Sequence, residues 1–169
     1  MGGSDLRAAL AGLLPRLRRF ARALTGTAAD ADDLVQASIE RALRSADQWR
    51  PGTNAASWMF RIMKNLWIDE IRARKSREKL IAHEQFAGAA SMDGASEMET
   101  HLHFAHVQRI VCALPEEQRV AIALVLIEGL SYREAARVLD VPIGTLTSRL
   151  ARGRAAIEAA FAGAVETVQ

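Results

Sequence analysis

Apolar residues recur every three or four positions along most of this chain, the spacing that places them on one face of an α-helix. The first stripe predicts a helix over about residues 5–24, and Gly26 supplies a C-terminal stop. A second helix is predicted to begin near Asp30, whose carboxylate can cap free N–H groups. A third spans about residues 55–75, after a turn rich in Pro and Gly. The stripes are Leu6, Leu10, Leu13, Leu14, Leu17 and Phe20 in the first helix, Leu34, Ile39, Ala42 and Leu43 in the second, and Trp58, Ile62, Leu66 and Ile71 in the third.

The periodic pattern is lost between about residues 76 and 100, a segment that contains EQFAGAASMDGASEMET. Gly, Ala, Ser and acidic residues cannot bury much apolar surface, so this composition predicts a flexible linker. Helical periodicity returns over residues 101–113. Pro115 suits the first position of the next helix, which Gly129 is predicted to end.

The last third of the chain has the pattern of a helix-turn-helix. The stretch SYRE at residues 131–134 fits a capping box, and the short helix that it opens is predicted to reach Leu139. A tight turn then leads to Pro142, which opens the final helix. One face of that helix is predicted to pack inward through Leu146, Leu150, Ile157 and Phe161, and another presents Thr145, Ser148, Arg149 and Arg152.

Hydroxyl and guanidinium groups on one helix face are the groups that hydrogen-bond base edges and phosphates in a DNA major groove. The alternative is an arginine face that is simply solvated. Strand signals are scarce, and the helix formers Ala, Leu and Arg dominate. The sequence therefore predicts an all-α protein of two small helical domains, residues 1–78 and 101–169, joined by a flexible linker at 79–100.

Charge is distributed unevenly along the chain. Residues 1–75 hold thirteen Lys and Arg against eight Asp and Glu, whereas residues 76–105 hold two against five. The basic segment suits a polyanionic partner. A single cysteine, Cys112, excludes an internal disulfide and favours a reduced cytoplasmic location. No apolar run approaches the length of a membrane span, and the N-terminus lacks the pattern of a secretory signal.

Metal and enzyme readings find little support in the sequence. His101, His103, His106 and Cys112 are possible ligands, but HLHFAHVQRIVC has no recognised zinc spacing. Glycine-rich phosphate loops, nucleophile elbows and paired catalytic carboxylates are not found in the sequence. We therefore expect no metal, no cofactor and no enzymatic activity.

Two long blocks resemble the domains of bacterial extracytoplasmic-function (ECF) sigma factors. Residues 114–157, LPEEQRVAIALVLIEGLSYREAARVLDVPIGTLTSRLARGRAAI, are similar to the sigma-4 domain. Residues 30–76, DADDLVQASIERALRSADQWRPGTNAASWMFRIMKNLWIDEIRARKS, are similar to the sigma-2 domain. The PGTN stretch also resembles sigma factors of the alphaproteobacterial general stress response. Two departures affect the expected −35 preference, since the family often has lysine at Thr147 and alanine at Gly153.

The resemblance implies a role for each candidate residue. Lys64, Arg72, Arg74 and Lys75 would meet phosphates or form a solvated basic face, and the loop 48–54 would accept a flipped base. Leu34 and Trp58 have an alternative reading as core residues. The implied sets are Thr145, Thr147, Ser148, Arg149 and Arg152 for the −35 element; Asn54, Trp58, Arg61, Lys64 and Asn65 for the −10 element; and Asp33, Leu34, Val35, Gln36, Arg41 and Arg44 for the core polymerase.

The resemblance also implies the partners and the work of the protein. These are core RNA polymerase, promoter DNA and an anti-sigma factor, with the chain a monomer when free or 1:1 with that regulator. It would start transcription of a stress- or signal-responsive regulon. One alternative is a sigma-like protein that binds a regulator without initiating transcription. Another is a simple helix-turn-helix repressor or activator, which leaves the N-terminal block unexplained.

Overall fold

The chain folds into two helical bundles in a computed structural model that describes residues 2–50, 52–81 and 100–166. Within those residues every regular element is helical, and no strand is found, which confirms the predicted all-α fold. A short 3₁₀ turn, Ala46–Gln48, follows the second helix. The N-terminal bundle consists of α1 (Gly2–Thr25), α2 (Ala28–Arg44) and α3 (Ala55–Ile81), and the C-terminal bundle of α4 (Thr100–Ala113), α5 (Glu116–Ile122), α6 (Tyr132–Leu139) and α7 (Ile143–Glu166).

Helix ends follow the predicted signals with two corrections. Gly26 ends α1 with φ +88°, a left-handed conformation that suits glycine. The N-cap of α2 is Thr27 and not Asp30, because the Thr27 hydroxyl accepts a hydrogen bond from the Asp30 N–H at 3.1 Å. Asp30 instead lies in the first turn, where its negative charge interacts favourably with the positive end of the helix dipole. Pro115 is the N-cap of α5 and does not occupy its first helical position.

The third helix is longer than its apolar stripe predicts. It continues to Ile81, past the expected end at Lys75, because the intervening residues include the good helix formers Arg77, Glu78 and Lys79. The next helix begins at Thr100. The predicted linker between them falls mostly on residues 82–99, which lie outside the described residues.

The core of the N-terminal bundle is built on the predicted stripe of α1. Leu6, Leu17 and Phe20 are fully buried, and the Phe20 and Phe60 rings lie 4.7 Å apart between centroids. The apolar residues predicted for α3 are only half-buried, since the helix turns another face inward. Leu43 on α2 is 39% exposed, which corrects its predicted inward position. The buried face of α3 consists of Ala56, Met59, Phe60, Met63 and Trp67.

The final helix packs through the first part of its predicted stripe. Leu146 and Leu150 are buried and Ile157 is partly buried, but Phe161 is 39% exposed, which corrects its predicted inward position; one side of its ring faces His106 of α4. Gly153 is buried on the same helix. A Cβ added to Gly153 would lie 2.9 Å from Ile122 Cγ1, so this glycine permits a close approach of α7 to α5.

A π-helical turn at Ala123–Ile127 follows α5 and was not predicted. Its signature is the hydrogen bond from the Glu128 N–H to the Ala123 carbonyl at 3.0 Å. One residue more in the turn rotates the following side chains by about 100° relative to a regular α-helix. Gly129 then ends the segment with φ +69°, as predicted.

The two bundles are packed against each other, and their buried residues form one continuous cluster. In that cluster, α3 contacts α6, and α1 contacts α4, α5 and the π turn. Among the described residues we find no helix long and apolar enough to cross a membrane.

We predict that Gly153→Ala lowers the free energy of unfolding. The alanine gains about 1 kcal/mol of helix propensity, but overpacking against Ile122 typically costs about 1–3 kcal/mol. Gly12→Ala is the matched control, because Gly12 is an α1 glycine with no neighbouring atom within 4 Å of an added Cβ. Urea denaturation of both variants measures the difference. A Gly153→Ala protein as stabilised as Gly12→Ala would show that Ile122 moves aside without cost.

Candidate functional site

The helix-turn-helix is fixed at both ends of α6. The predicted capping box is present: the Glu134 N–H donates to Ser131 Oγ at 3.3 Å, and the Ser131 N–H donates to Glu134 Oε2 at 3.0 Å. The Ser131 hydroxyl also donates to Glu134 Oε2 at 2.6 Å, and this bond, together with the one from the Ser131 N–H, lowers the pKa of the Glu134 carboxyl. At the other end Asp140 takes a left-handed conformation with φ 56°, which turns the chain into α7. The sequence signals therefore set the angle between the two helices.

The polar face predicted on α7 is present, but its residues are not equivalent. Thr147 Oγ1 and Ser148 Oγ donate to carbonyls of their own helix, those of Ile143 at 2.9 Å and Thr145 at 3.0 Å. Arg152 is exposed, and its Nη2 lies 3.4 Å from Ser148 Oγ. Local hydrogen bonds thus hold the hydroxyls and leave the Arg152 guanidinium accessible.

Arg149 is the exception on this face. Its side chain is 17% exposed, and its Nη2 lies 2.9 Å from Glu117 Oε1 at the start of α5. A groove of about 550 Å³ separates the start of α5 from α7, and both Arg149 and Arg152 line it. Lys75 of α3 also lines this groove and forms an ion pair with Glu116. The sequence did not predict that two glutamates at the start of α5 would hold cations from α7 and α3.

The candidate −10 residues on α3 share one helix face. Trp58, Arg61 and Asn65 are spaced at i, i+3 and i+7, with Arg61 and Asn65 exposed and Trp58 half-buried. Asn54 has a structural part as well, because its Oδ1 accepts a hydrogen bond from the Ser57 N–H at 3.1 Å at the start of the helix. Trp58 is predicted either to contact the −10 element or to belong to the core, and its half-buried side chain is intermediate between these two positions.

Lys64 lies close to basic residues of both bundles. Burial lowers the pKa of its ammonium group first, and the charges of Arg61 and Arg149 lower it further, while Asp140 acts in the opposite direction. The candidate −10 and −35 residues therefore approach each other in this arrangement, which the sequence did not predict.

A cavity of about 360 Å³ lies where the loop 48–54 meets α6. Its walls include Trp49, Asn54 and Trp58 on one side and Arg137 on the other. Arg61 Nη2 donates a hydrogen bond to the Arg137 carbonyl at 2.7 Å across the boundary between the bundles. The first helix of the helix-turn-helix thus lies across this cavity from the loop, most of whose residues remain exposed.

The candidate polymerase-binding residues of α2 divide into two groups. Leu34 and Val35 are 4% and 5% exposed and belong to the core, so in this arrangement their side chains offer no contact surface. This burial supports the core reading of Leu34 and extends it to Val35. The exposed members are Asp33, Gln36, Arg41 and Arg44.

Glu40, which the sequence analysis missed, organises part of that exposed surface. Its carboxylate oxygens accept hydrogen bonds from Gln36 Nε2 and Arg44 Nη2, each at 3.3 Å. The i, i+4 spacing of these residues is the signal that could have identified it.

Sequence reasoning also missed two charged residues between the bundles. The Glu128 side chain is fully buried, and Arg16 and Arg19 of α1 form ion pairs with its carboxylate. Arg119 of α5 donates to the Leu24 carbonyl at 2.8 Å and lies over the Trp67 ring at 5.3 Å. The available signal was a single carboxylate ending the apolar run VAIALVLIEGL, because a buried charge requires a partner.

No cluster of three or more metal-binding side chains is found among the residues that the structure describes. His106 lies against the Phe161 ring at 5.6 Å, and Cys112 is half-buried. Burial raises the pKa of the Cys112 thiol. The side chains of His101 and His103 lie outside the described set.

Comparison with known proteins places the two bundles in sequence families. Residues 10–64 match the model described as the sigma-2 domain of PhyR, and residues 105–157 match sigma-70 region 4. The ECF RNA polymerase sigma factor EcfG of Rhodopseudomonas palustris is 36% identical over 92% of this chain and 84% of its own length. The ECF sigma factor SigM of Mycobacterium tuberculosis is 36% identical over 83% of this chain and 68% of its own length.

A solved structure gives the same result for the fold. The sigma factor RpoE of Bartonella quintana, crystallised with the anti-sigma factor NepR, superposes with a TM-score of 0.78. It is 30% identical and covers 93% of this chain and 96% of that one.

Two helical bundles, one with a sigma-2 match and the other with a region 4 helix-turn-helix, define the class of bacterial RNA polymerase sigma factors. The similarity to EcfG extends over nearly the whole chain. The chain belongs to the extracytoplasmic-function (ECF) family of sigma factors. The proteins of this family are not enzymes.

Proposed function

We propose that this sigma factor acts in the cytoplasm, where it carries core RNA polymerase to promoters. Each bundle recognises one of the two promoter elements. The N-terminal bundle binds the polymerase and the −10 element, and the C-terminal bundle binds the −35 element. The similarity to EcfG carries the proposal, since it covers both bundles in one relative. The proposed boundaries are residues 1–78 and 101–169, with a flexible linker at 79–100.

The −10 element is read from the exposed face of α3 and the adjoining loop. The Asn65 amide can hydrogen-bond the edge of an unpaired base, and Trp58 can stack on a base once α6 moves away. Arg61 and Lys64 supply positive charge for the backbone. Asn54 contributes mainly by holding the loop against the start of α3, because its side chain already caps that helix.

The −35 element is read from α7. Arg152 is exposed, lies beside Ser148 Oγ and lines the same groove as Thr145, so it is available for phosphate or base contact, and Thr147 is exposed on the same helix. Arg149 is held by Glu117 and therefore serves first to position α7 against α5.

Core polymerase binds the exposed side of α2. Asp33, Gln36, Arg41 and Arg44 supply polar and charged groups, which set the register of an interface. Leu34 and Val35 support this surface from beneath, because both are buried.

An anti-sigma factor controls the chain, which is a monomer when free and forms a 1:1 complex with that regulator. The support is the likeness to the Bartonella quintana sigma factor, whose structure contains NepR. This protein also has a suitable surface, a largely apolar groove of about 590 Å³ between α1, α2 and α4. Val107 in its wall is 41% exposed, and Arg18 and Arg22 line the same groove. An amphipathic helix with acidic residues along its edge fits such a groove.

The match to the sigma-2 domain of PhyR favours one alternative, a sigma-like protein that binds a regulator without initiating transcription. Run-off transcription with purified core polymerase separates the two functions, because only a sigma factor directs a promoter-specific transcript.

We predict that Asn65→Ala impairs promoter opening and leaves core binding nearly unchanged, since Asn65 is proposed to face DNA. Permanganate footprinting measures opening, and co-purification measures core binding. Gln36→Ala is the matched control, because it removes another exposed amide, one proposed to face the polymerase. It should lower core binding. Equal loss of core binding in both variants would contradict the assignment of Asn65.

We predict that Arg152→Ala weakens −35 binding and flattens the slope of log affinity against log salt by about one unit, as expected for the loss of one phosphate contact. If Arg152 instead reads a guanine, its loss should cost roughly 1–3 kcal/mol at one −35 position. Arg149→Ala is the comparison variant. It should change the slope less, because Glu117 already neutralises the charge of the Arg149 side chain. Salt titrations with −35 duplex measure both. An unchanged slope and affinity for folded Arg152→Ala would remove this arginine from the interface.

We predict that Val107→Glu reduces binding of Bartonella quintana NepR by at least about tenfold, because a carboxylate would replace apolar contact in the groove. The matched control is Leu43→Glu, a similarly exposed apolar residue outside the groove. Calorimetric titration of each folded variant gives the dissociation constant. Equal affinities for the wild type and both variants would place the regulator elsewhere.

A further inference from the structure

A buried carboxylate joins the two bundles. The Glu128 side chain is 0% exposed and lies directly after the π turn of the C-terminal bundle. Its Oε2 accepts hydrogen bonds from Arg16 Nε and Arg19 Nη2, both at 3.0 Å, and its Oε1 accepts one from Arg19 Nε at 2.8 Å. Arg16 also donates to the Glu128 backbone carbonyl at 3.3 Å. Both arginines belong to α1 of the N-terminal bundle, so every one of these bonds crosses the interface.

The same interface completes the end of α1. The last carbonyls of a helix lack partners within the helix. Here Gln108 Nε2 donates to the Gly26 carbonyl at 2.6 Å and to the Arg22 carbonyl at 3.3 Å, while Arg119 Nη1 donates to the Leu24 carbonyl at 2.8 Å. Side chains of the C-terminal bundle therefore cap a helix of the N-terminal bundle.

These contacts hold the molecule in an arrangement that places α6 against the cavity beside the candidate −10 residues. Arg61 is engaged with the Arg137 carbonyl, and α6 forms one wall of the cavity beside the loop 48–54. Lys75 is paired with Glu116. The loop residues are mostly exposed, but a −10 strand that enters the cavity between Trp49 and Trp58 meets Glu134 and Arg137 of α6.

We propose that Glu128, Arg16 and Arg19 form an interdomain latch that keeps the free protein in a closed form excluded from −10 DNA. Opening separates α1 from the π turn, releases Arg61 from α6 and removes α6 from the cavity beside the loop. This regulation goes beyond the proposed function, although its consequence for transcription rests on it.

The geometry of the latch suits a reversible contact. Arg16 and Arg19 are 37% and 52% exposed in their side chains, so each is already partly hydrated and can leave Glu128 at modest cost. Glu128 has the opposite character, because its carboxylate loses water completely in the closed form and regains it on opening. Replacing the arginines therefore weakens the closed form without emptying the core of either bundle.

The test compares two double variants of the full chain. Arg16→Gln/Arg19→Gln removes the latch, whereas Arg7→Gln/Arg77→Gln removes the same charge from exposed positions that belong to neither the latch nor a proposed binding surface. Small-angle X-ray scattering measures compactness, for which a single compact chain of this length has a radius of gyration of about 15 Å. Fluorescence anisotropy with a single-stranded −10 oligonucleotide measures access to the loop.

We expect the latch variant to expand by several ångströms and to bind the oligonucleotide about tenfold more tightly, since the apparent dissociation constant falls as the open fraction rises. The control should remain compact and bind slightly more weakly, because it has lost positive charge. A gain in affinity despite the same loss of charge is the distinguishing result. Glu128→Gln should behave like the latch variant where circular dichroism shows that it folds.

A folded latch variant that stays compact, or that expands without gaining affinity over the control, would overturn the proposal. Run-off transcription with core polymerase keeps the proposed function separate. Failure of every form to direct transcription would contradict that function, whereas expansion with improved oligonucleotide binding would still support the latch.

Discussion

A carboxylate without contact to water must be matched by positive charge, and this requirement at Glu128 organises the relation between the two bundles. Arg16 and Arg19 meet it from α1, and the π turn directs Glu128 towards them. The remaining interdomain hydrogen bonds follow from this juxtaposition, because α1 must end beside α4 and α5 for its carbonyls to be capped by Gln108 and Arg119. The two bundles therefore share a continuous apolar core, and this polar contact adds directional specificity to their packing.

The same residue types serve two purposes in this chain. Arginines on α7 and α3 suit phosphate and base contact, yet Arg149 is neutralised by Glu117, and Arg61 donates to the α6 backbone. A basic side chain on a DNA-binding face therefore gives potential function, and its partner in the folded chain decides when that function is available. Arg152 remains exposed and marks the part of α7 that is open to solvent.

Close backbone approach is the second constraint on the C-terminal bundle. Gly153 is buried against Ile122, where an added Cβ would be only 2.9 Å from Cγ1. As a sequence feature this glycine indicates a weakened helix. In the structure it permits α7 to lie against α5, and the loss of helix propensity is offset by the packing that this approach allows. Gly26 has a similar part between the bundles, since its added Cβ would lie 2.9 Å from Cys112 Sγ.

Features that depend on neighbours along the chain were predictable from the sequence: the all-α class, the apolar stripe of α1, the capping box of α6, the glycine stops and the sigma-like blocks. These signals are local, so a one-dimensional pattern contains them. Leu43 and Phe161, predicted to face inward, are each 39% exposed, and α3 turns a face inward other than its predicted stripe. Three features became visible only in the folded structure: the burial of Val35, the ion pair of Arg149 with Glu117, and the position of Glu128 between two arginines of α1. Each of these joins residues far apart in sequence, and their spacing along the chain contains no record of the distance between them in space.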